Sequence, residues 1–337
     1  YGVMWPLLAG SVCIGAGYVA SSFAGSIVGF DVVQGLLIGL GSGAVFAPLV
    51  ADTSLWFVRR RGIAVAVCAS GNYVAGAVWP PIVQHFVETA GWRETYVGLG
   101  VFCALAMAGL ALFMRPRPPA AVMAKPPASA GGHGAATGAA MRPFGLSLGV
   151  AQGLLCVAGV ACCVAMAMPQ VHIVAYCADL GYGTARGAQM LSLMLACGIV
   201  SRLVSGAICD RIGGLRTLLL GSVLQCVALL LFLPFDGMVP LFVVSALFGL
   251  FQGGIVPSYA IIVREYFPPA EASARVGTII GCTLLGMALG GWMSGKVFDL
   301  TGSYHAAFLN GIAWNLLNMA IAVTLLWRAG RVLRTAS

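Results

Sequence analysis

The sequence predicts an all-α, polytopic membrane protein built from two helical lobes, and three observations carry that reading. Hydrophobic residues make up 60% of the 337 and charged ones only 8%, with a mean hydropathy of +0.96. A water-soluble domain carries roughly 25% charged residues, so this chain cannot clothe a water-facing surface. Ten apolar runs are each long enough to cross a bilayer, which takes about 20 helical residues. The second half of the chain also echoes the first at a spacing of 210–211 residues.

The runs lie near 4–24, 31–56, 61–88, 93–114, 144–177, 185–208, 216–235, 239–264, 272–298 and 304–328. The first is unbroken by charge. The second holds Gly41 and Pro48 and closes on Trp56. The third follows Arg59, Arg60 and Arg61 and contains Pro80-Pro81, and the fourth opens behind Gly91-Trp92-Arg93. Pro169 interrupts the fifth; the sixth carries Arg202. The seventh starts after a charged turn, the eighth holds Pro257, the ninth Gly290-Gly291, and the tenth ends at Trp327-Arg328. Such Gly and Pro positions suit spans that bend, with freed backbone groups facing protein or a cavity.

Lys and Arg number 18 against 10 acidic residues, a net charge of +8. The excess sits in loops between apolar runs, so it reports topology and not nucleic-acid binding. Arg59, Arg60 and Arg61 follow the second run; Arg115, Arg117, Lys125 and Arg142 fill the long middle loop. Arg211 and Arg216 follow the sixth, Arg264 the eighth, and Arg328, Arg331 and Arg334 close the chain. The alternate loops offer only Arg93 and Arg186, with Lys296 near one span end. This asymmetry places Tyr1, the middle loop and the C-terminus in the cytoplasm of a plasma (inner) membrane protein. Trp56, Tyr266 and Trp327 then mark the inner interface, and Trp92, Tyr182 and Tyr304 the outer one.

In the repeat, Leu7, Leu8, Gly10, Ser11 and Val12 fall on Leu218, Leu219, Gly221, Ser222 and Val223; Gly39, Leu40, Gly43, Trp56 and Phe57 fall on Gly249, Leu250, Gly253, Tyr266 and Phe267. Gly91 and Gly100 meet Gly302 and Gly311. A steady register over four spans marks duplicated halves. The second half has six runs and the first four, so two further helices are expected ahead of Tyr1: ten spans here of an expected twelve. The expected organisation is an N-terminal bundle (1–114, without its first two helices), a flexible cytoplasmic linker (115–142) and a C-terminal six-helix bundle (143–337). The linker is rich in Pro, Ala and Gly and lacks periodicity, so it cannot form a packed core.

Two features carry chemistry. Arg202 lies within an apolar run, eight residues before Asp210, which sets its guanidinium ~12 Å deeper along a helix. A buried arginine costs ~2.5–3.5 kcal/mol on insertion scales, and its planar fork matches a carboxylate bidentately. No Asp or Glu stands well inside a span as a standing partner: Asp31, Glu88, Asp179, Asp236 and Asp299 lie near outer ends, and Asp52 near an inner one. A structural arginine that snorkels toward the cytoplasm or pairs within the bundle is the competing reading. The second feature is the turn Gly206-x-x-x-Asp210-Arg211-x-Gly213-x-x-Arg216. Its glycines permit close helix approach and a tight reversal. Asp210 can accept from an unpaired helix N-terminus, so the turn can act as a gate latch; an ordinary topology-setting loop is the alternative.

The turn resembles the loop motif Gly-x-x-x-Asp-Arg-x-Gly-Arg-Arg/Lys of the major facilitator superfamily, with Gly214 and Leu215 at the two basic positions and Arg216 one step later. Trp56-Phe57-x-Arg59-Arg60-Arg61-Gly62-x-Ala64 with Gly71 and Gly76 is similar to the monocarboxylate porters and oxalate–formate exchangers. So are Gly91-Trp92-Arg93 and the run His172, Tyr176, Asp179, Leu180, Gly181. The resemblance covers nearly the whole chain and implies a two-lobed carrier in which Arg202 binds a carboxylate. The exchangers add a second buried cation in the segment matching 272–298, where Lys296 sits too near the span end. One central positive charge therefore suits a monoanion. Proton-coupled relatives place a carboxylate one turn before the arginine, where this chain has Gly198.

Other polar groups within spans are candidates to line a cavity or to bridge helices: Asn72 and Tyr73, Gln252 and Tyr259, and Asn315. His172, after Pro169-Gln170, could bond a carboxylate or carry a coupling proton, since imidazole titrates near neutrality; a structural histidine fits as well. The 11 cysteines show no C-x-x-C spacing and sit mostly in apolar runs, as small packing residues. The expected function is secondary active transport of small organic anions, with monocarboxylates favoured, by alternating access with proton symport or exchange. The alternatives are drug or hydrophobic-solute efflux on the same fold and a transporter-like sensor. An enzyme or ATP-driven pump is not expected, since no G-x-x-x-x-G-K-[ST] loop or metal-ligand cluster is present. No cofactor, metal or nucleic-acid partner is expected, and the lipid bilayer surrounds a monomer.

Overall fold

The computed structural model describes residues 3–57, 60–114 and 143–335. The 115–142 linker with its basic residues lies outside them, as do Tyr1, Gly2, Arg59 and the side chains of Arg61, Pro80, Pro81, Glu88 and Arg334. The described chain is helical and contains no strand. Its helices are α1 (Met4–Ser22), α2 (Ile27–Val33), α3 (Leu40–Trp56), α4 (Arg61–Ala90), α5 (Trp92–Phe113), α6 (Leu148–Asp179), α7 (Thr184–Ile212), α8 (Gly214–Leu231), α9 (Met238–Gln252), α10 (Ile255–Tyr266), α11 (Ala272–Thr301) and α12 (Tyr304–Thr335). Counting α2–α3 and α9–α10 as joined spans, ten are long and apolar enough to cross a membrane. The protein is a multi-pass membrane protein. Its helices satisfy their own backbone groups where no water can.

Local chemistry sets several starts. Ser26 Oγ accepts from Gly29 N–H (3.1 Å) to open α2, and Ser147 Oγ accepts from Val150 N–H (3.4 Å) to open α6. Gly91 and Gly302, paired by the 211-residue register, both take positive φ, +87° and +65°. Each ends one helix and leads into the next, α5 and α12 respectively.

The proline interruptions behave differently from expectation. Pro48 and Pro169 lie inside continuous helices α3 and α6, because a proline removes one backbone bond that close neighbours can compensate. Pro257 falls in the first turn of α10, where its missing N–H is an orphan anyway. Regular α-helix is lost elsewhere. Gln34–Gly39 is π-helical between α2 and α3, and Gly253-Gly254 separates α9 from α10.

The helices fall into two compact units, divided within α4. One holds α1 to α3, α4 from Val78 onward, and α5. Here α1 packs along α5 and α3. Arg93 Nε donates to Ser22 O (3.1 Å) and its guanidinium lies 4.4 Å from the Trp92 ring, tying the start of α5 to the end of α1. The other unit holds Phe57–Ala77 with α6 to α12. Its core gathers Met168, Met190, Met194, Leu229, Phe232, Phe248 and Phe308. The Phe232 and Phe308 rings stack at 4.8 Å.

Candidate functional site

In the second unit, Arg202 sits on α7 with only 6% of its surface exposed. Its Nη1 donates to Ala69 O on the first part of α4. The guanidinium lies 4.0 Å from the centroid of the Tyr73 ring, one turn further along α4. Tyr73 is itself buried and donates its hydroxyl to Gln252 Oε1 at the end of α9 (3.1 Å). A guanidinium attracted to a ring face is a recognised pairing, but it does not neutralise the charge. Arg275 pairs with Glu271, and His305 Nε2 lies 3.9 Å from Asp236 Oδ1; neither reaches Arg202. Carboxylates near span ends are engaged locally: Asp52 Oδ2 accepts from Trp56 Nε1 (3.0 Å) and Asp236 Oδ1 from Tyr176 OH (2.6 Å).

Three donor-bearing groups on α7 and at the end of α9 are buried without a partner: Arg202 Nε, Gln252 Nε2 and Ser201 Oγ. Leaving a buried donor unmet costs about 1–3 kcal/mol, more for a charged one. Ser201 adjoins Arg202 in sequence, and Gln252 reaches it through Tyr73. The break after α9 closes the group. A Cβ added at Gly253 would stand 2.6 Å from Gly198 O and 2.8 Å from Ser201 Cβ, so the interrupted backbone rests directly on α7. The start of α10 follows at Ile255. Donors, one full positive charge and no free acid make a set that an anion completes.

The turn forms a second locus. Asp210 Oδ1 accepts from Gly62 N–H (2.7 Å) and Oδ2 from Ile63 N–H (3.2 Å), capping the first turn of α4. The contact needs two glycines. A Cβ at Gly206 would stand 2.7 Å from Ala66 Cβ, and one at Gly62 would strike Asp210 Oδ1 at 2.8 Å. Gly213 holds φ +84°, ψ 163° between α7 and α8, a region essentially restricted to glycine. Arg211 and Arg216 are exposed. The N–H of Gly214, the first of α8, donates to both oxygens of Glu265 at 3.1 Å each. The turn therefore exports one carboxylate to α4 and receives another from the end of α10.

The remaining candidates hydrogen-bond to groups other than Arg202 or face outward. His172 Nε2 donates to Gly291 O on α11 (2.9 Å), with its ring 6.1 Å from that of Tyr304. Asn72 is exposed, on a different face of α4 from Tyr73. Tyr259 is buried in a network with Asn318 Oδ1 (3.4 Å) and Cys162 Sγ (3.5 Å). Asn315 Nδ2 donates to Ser222 O (2.8 Å) on α8. Sequence reasoning missed Ser201, Ala69, Glu265 and the Gly253-Gly254 break. Only the glycine pair, next to a glutamine in an apolar run, carried a signal. A cleft of about 440 Å³ in the first unit is lined by Ser26, Ile27, Phe30, Trp92 and Tyr96 among others; rings and a hydroxyl offer an anion little. Among the described residues no group of His, Cys, Asp and Glu is placed to hold a metal.

Comparison with known proteins places this geometry in context. The family model described as Major Facilitator Superfamily matches residues 1–238 and 154–336. Monocarboxylate transporter 13 of Rattus norvegicus is 26% identical over 337 residues, covering 95% of this chain and 72% of its own. Among solved structures, the proton:xylose symporter XylE superposes with a TM-score of 0.73 at 14% identity, over 97% of this chain and 80% of that one. The human organic anion transporter MFSD10 (TETRAN) does so at 0.71 and 15%, over 95% and 77%.

Proposed function

The chain belongs to the major facilitator superfamily and is a transporter of that family; from this premise we propose that it carries small organic anions, monocarboxylates foremost, as a secondary active transporter. One observation carries the proposal. The buried guanidinium of Arg202 has no carboxylate partner among the described residues, and two further buried donors, Ser201 Oγ next to it in sequence and Gln252 Nε2 on the glutamine that Tyr73 holds, are unpartnered. A monocarboxylate meeting Arg202 would supply the missing acceptors and the missing charge at once. The similarity to a monocarboxylate transporter supports the same substrate class. In this reading Arg202, Gln252 and Tyr73 are the binding residues, joined by Ser201, while His172, Asn72 and Tyr259 bridge helices or face outward.

The mechanism follows from where the contacts lie. By the sequence repeat, the lobes are 1–114 and 143–337, joined by the 115–142 linker. That division takes α4 from the first and α7 from the second. Substrate at the Nε edge of Arg202 offsets the positive charge that Ala69 O and the Tyr73 ring attract, weakening the hold of α7 on α4 at mid-span. The Asp210 cap on Gly62 and Ile63 is the latch that must open at one end for the lobes to rock. Gly206, Arg211, Gly213 and Arg216 shape and flank that latch. Exchange or proton symport drives the cycle, and the latch end faces the cytoplasm of the plasma membrane.

Reconstituted protein tested with radiolabelled pyruvate, lactate, formate and oxalate, with and without a pH gradient, should take up the monoanions. Arg202→Ala, inserted normally, should lose at least ~30-fold in uptake efficiency, the scale for removing one partner of a buried charged contact. Unchanged uptake in that variant removes Arg202 from the mechanism.

A further inference from the structure

We infer that Tyr73, seated on Gly198, roofs one face of the Arg202 guanidinium and sets the size of acid this protein accepts; the inference rests on the anion-carrier reading above. Gly198 stands one helical turn before Arg202 on the same side of α7. A Cβ built there would lie 3.0 Å and 3.1 Å from Tyr73 Cε1 and Cδ1 and 3.4 Å from Cζ. The ring therefore occupies the space a larger residue at 198 would fill. From that seat it reaches the guanidinium, 4.0 Å from Cζ to ring centroid, and its hydroxyl anchors on Gln252 Oε1 at 3.1 Å. The ring is fixed at three points, by α7 below, the cation beside it and α9 at its tip.

That placement dictates how an anion approaches. With the Tyr73 ring 4.0 Å from the guanidinium carbon and Nη1 held by Ala69 O, the edge carrying the unpartnered Nε is the one left to an anion. The same hydroxyl anchor leaves Gln252 Nε2 without a partner, free to take an oxygen of the ligand. A bulky substituent on the acid would meet the ring. Tyr73 is thus a selectivity residue through the volume it fills, and Gly198 is the positioning residue that admits it.

The test uses the protein in proteoliposomes, with radiolabelled pyruvate and phenylpyruvate as paired probes. The wild type is expected to favour pyruvate by about tenfold or more in kcat/KM, the scale on which a filled pocket discriminates. Tyr73→Ala should bring the ratio near one. Tyr73→Leu, apolar but smaller than the ring, should shift it part of the way in the same direction if the alanine variant fails to insert. Tyr73→Phe should keep the ratio within ~twofold while raising KM for pyruvate, since the ring stays and only its anchor on Gln252 goes. Gly198→Ala should raise KM for pyruvate several-fold in wild type but by less than ~twofold when Tyr73 is already alanine, because the two positions act through one contact. A Tyr73→Ala protein that carries pyruvate with an unchanged ratio, or additive effects at 198 and 73, overturns the inference and leaves the anion-carrier reading intact. A wild type that carries neither acid defeats the carrier reading itself.

Discussion

Arg202 is buried among helices that offer it a carbonyl and a ring but no carboxylate. A lysine there would keep the charge and lose the planar fork. Arg202→Lys is therefore expected to raise KM for a monocarboxylate by about tenfold with a smaller change in kcat, checked by uptake kinetics. The arginine was legible in the sequence because a cation in an apolar run stands out by its cost. Ser201 was not, since serines are common small residues in membrane helices and nothing in the pattern marks one with an unmet hydroxyl. Tyr73 and Gln252 were legible as polar groups in spans, but their hydrogen bond joins positions 179 residues apart, which no local pattern encodes. His172 illustrates the converse. Its chemistry made it a candidate, and the structure ties it to a backbone carbonyl on α11.

At the scale of elements, the turn between α7 and α8 is held by two carboxylates acting on two helix starts. Asp210 caps α4 and Glu265 caps α8. Asp210→Asn keeps one acceptor but loses charge at a helix N-terminus, worth about 0.3–1 kcal/mol. It should favour the state open at that end, visible as faster alkylation of a cysteine introduced beside Gly62. Gly213→Ala forces a Cβ into a glycine-only conformation and should destabilise the protein by about 1–3 kcal/mol, read from thermal unfolding in detergent. The turn was legible because its spacing is distinctive. The helix it caps was not, for Gly62 lies 148 residues away from Asp210. Breaks were misplaced for a local reason. Proline attracts attention in a sequence, yet Pro48 and Pro169 sit within unbroken helices while Gly253-Gly254 does not.

For the whole molecule, hydropathy alone sufficed to find ten spans, because a span is a length-and-composition object and the described helices match it. Orientation rests on the distribution of Arg and Lys. If the basic ends face the cytoplasm, a tag after Ser337 should resist protease in intact cells and be cut in inverted vesicles; the reverse pattern would invert the topology. Inside the second unit lies one more feature with reach beyond its place. Asn318 Nδ2 donates to Ser222 Oγ (2.7 Å), Asn315 to the Ser222 carbonyl, Tyr259 to Asn318, and Gln225 Nε2 to Cys162 O (3.3 Å). These amides stitch α6, α8, α10 and α12 together where no water is at hand to replace a broken stitch. Such a keel resists sliding of one rod past another, so whatever the carrier does to move cargo, these four should travel as a single piece and soften together on heating.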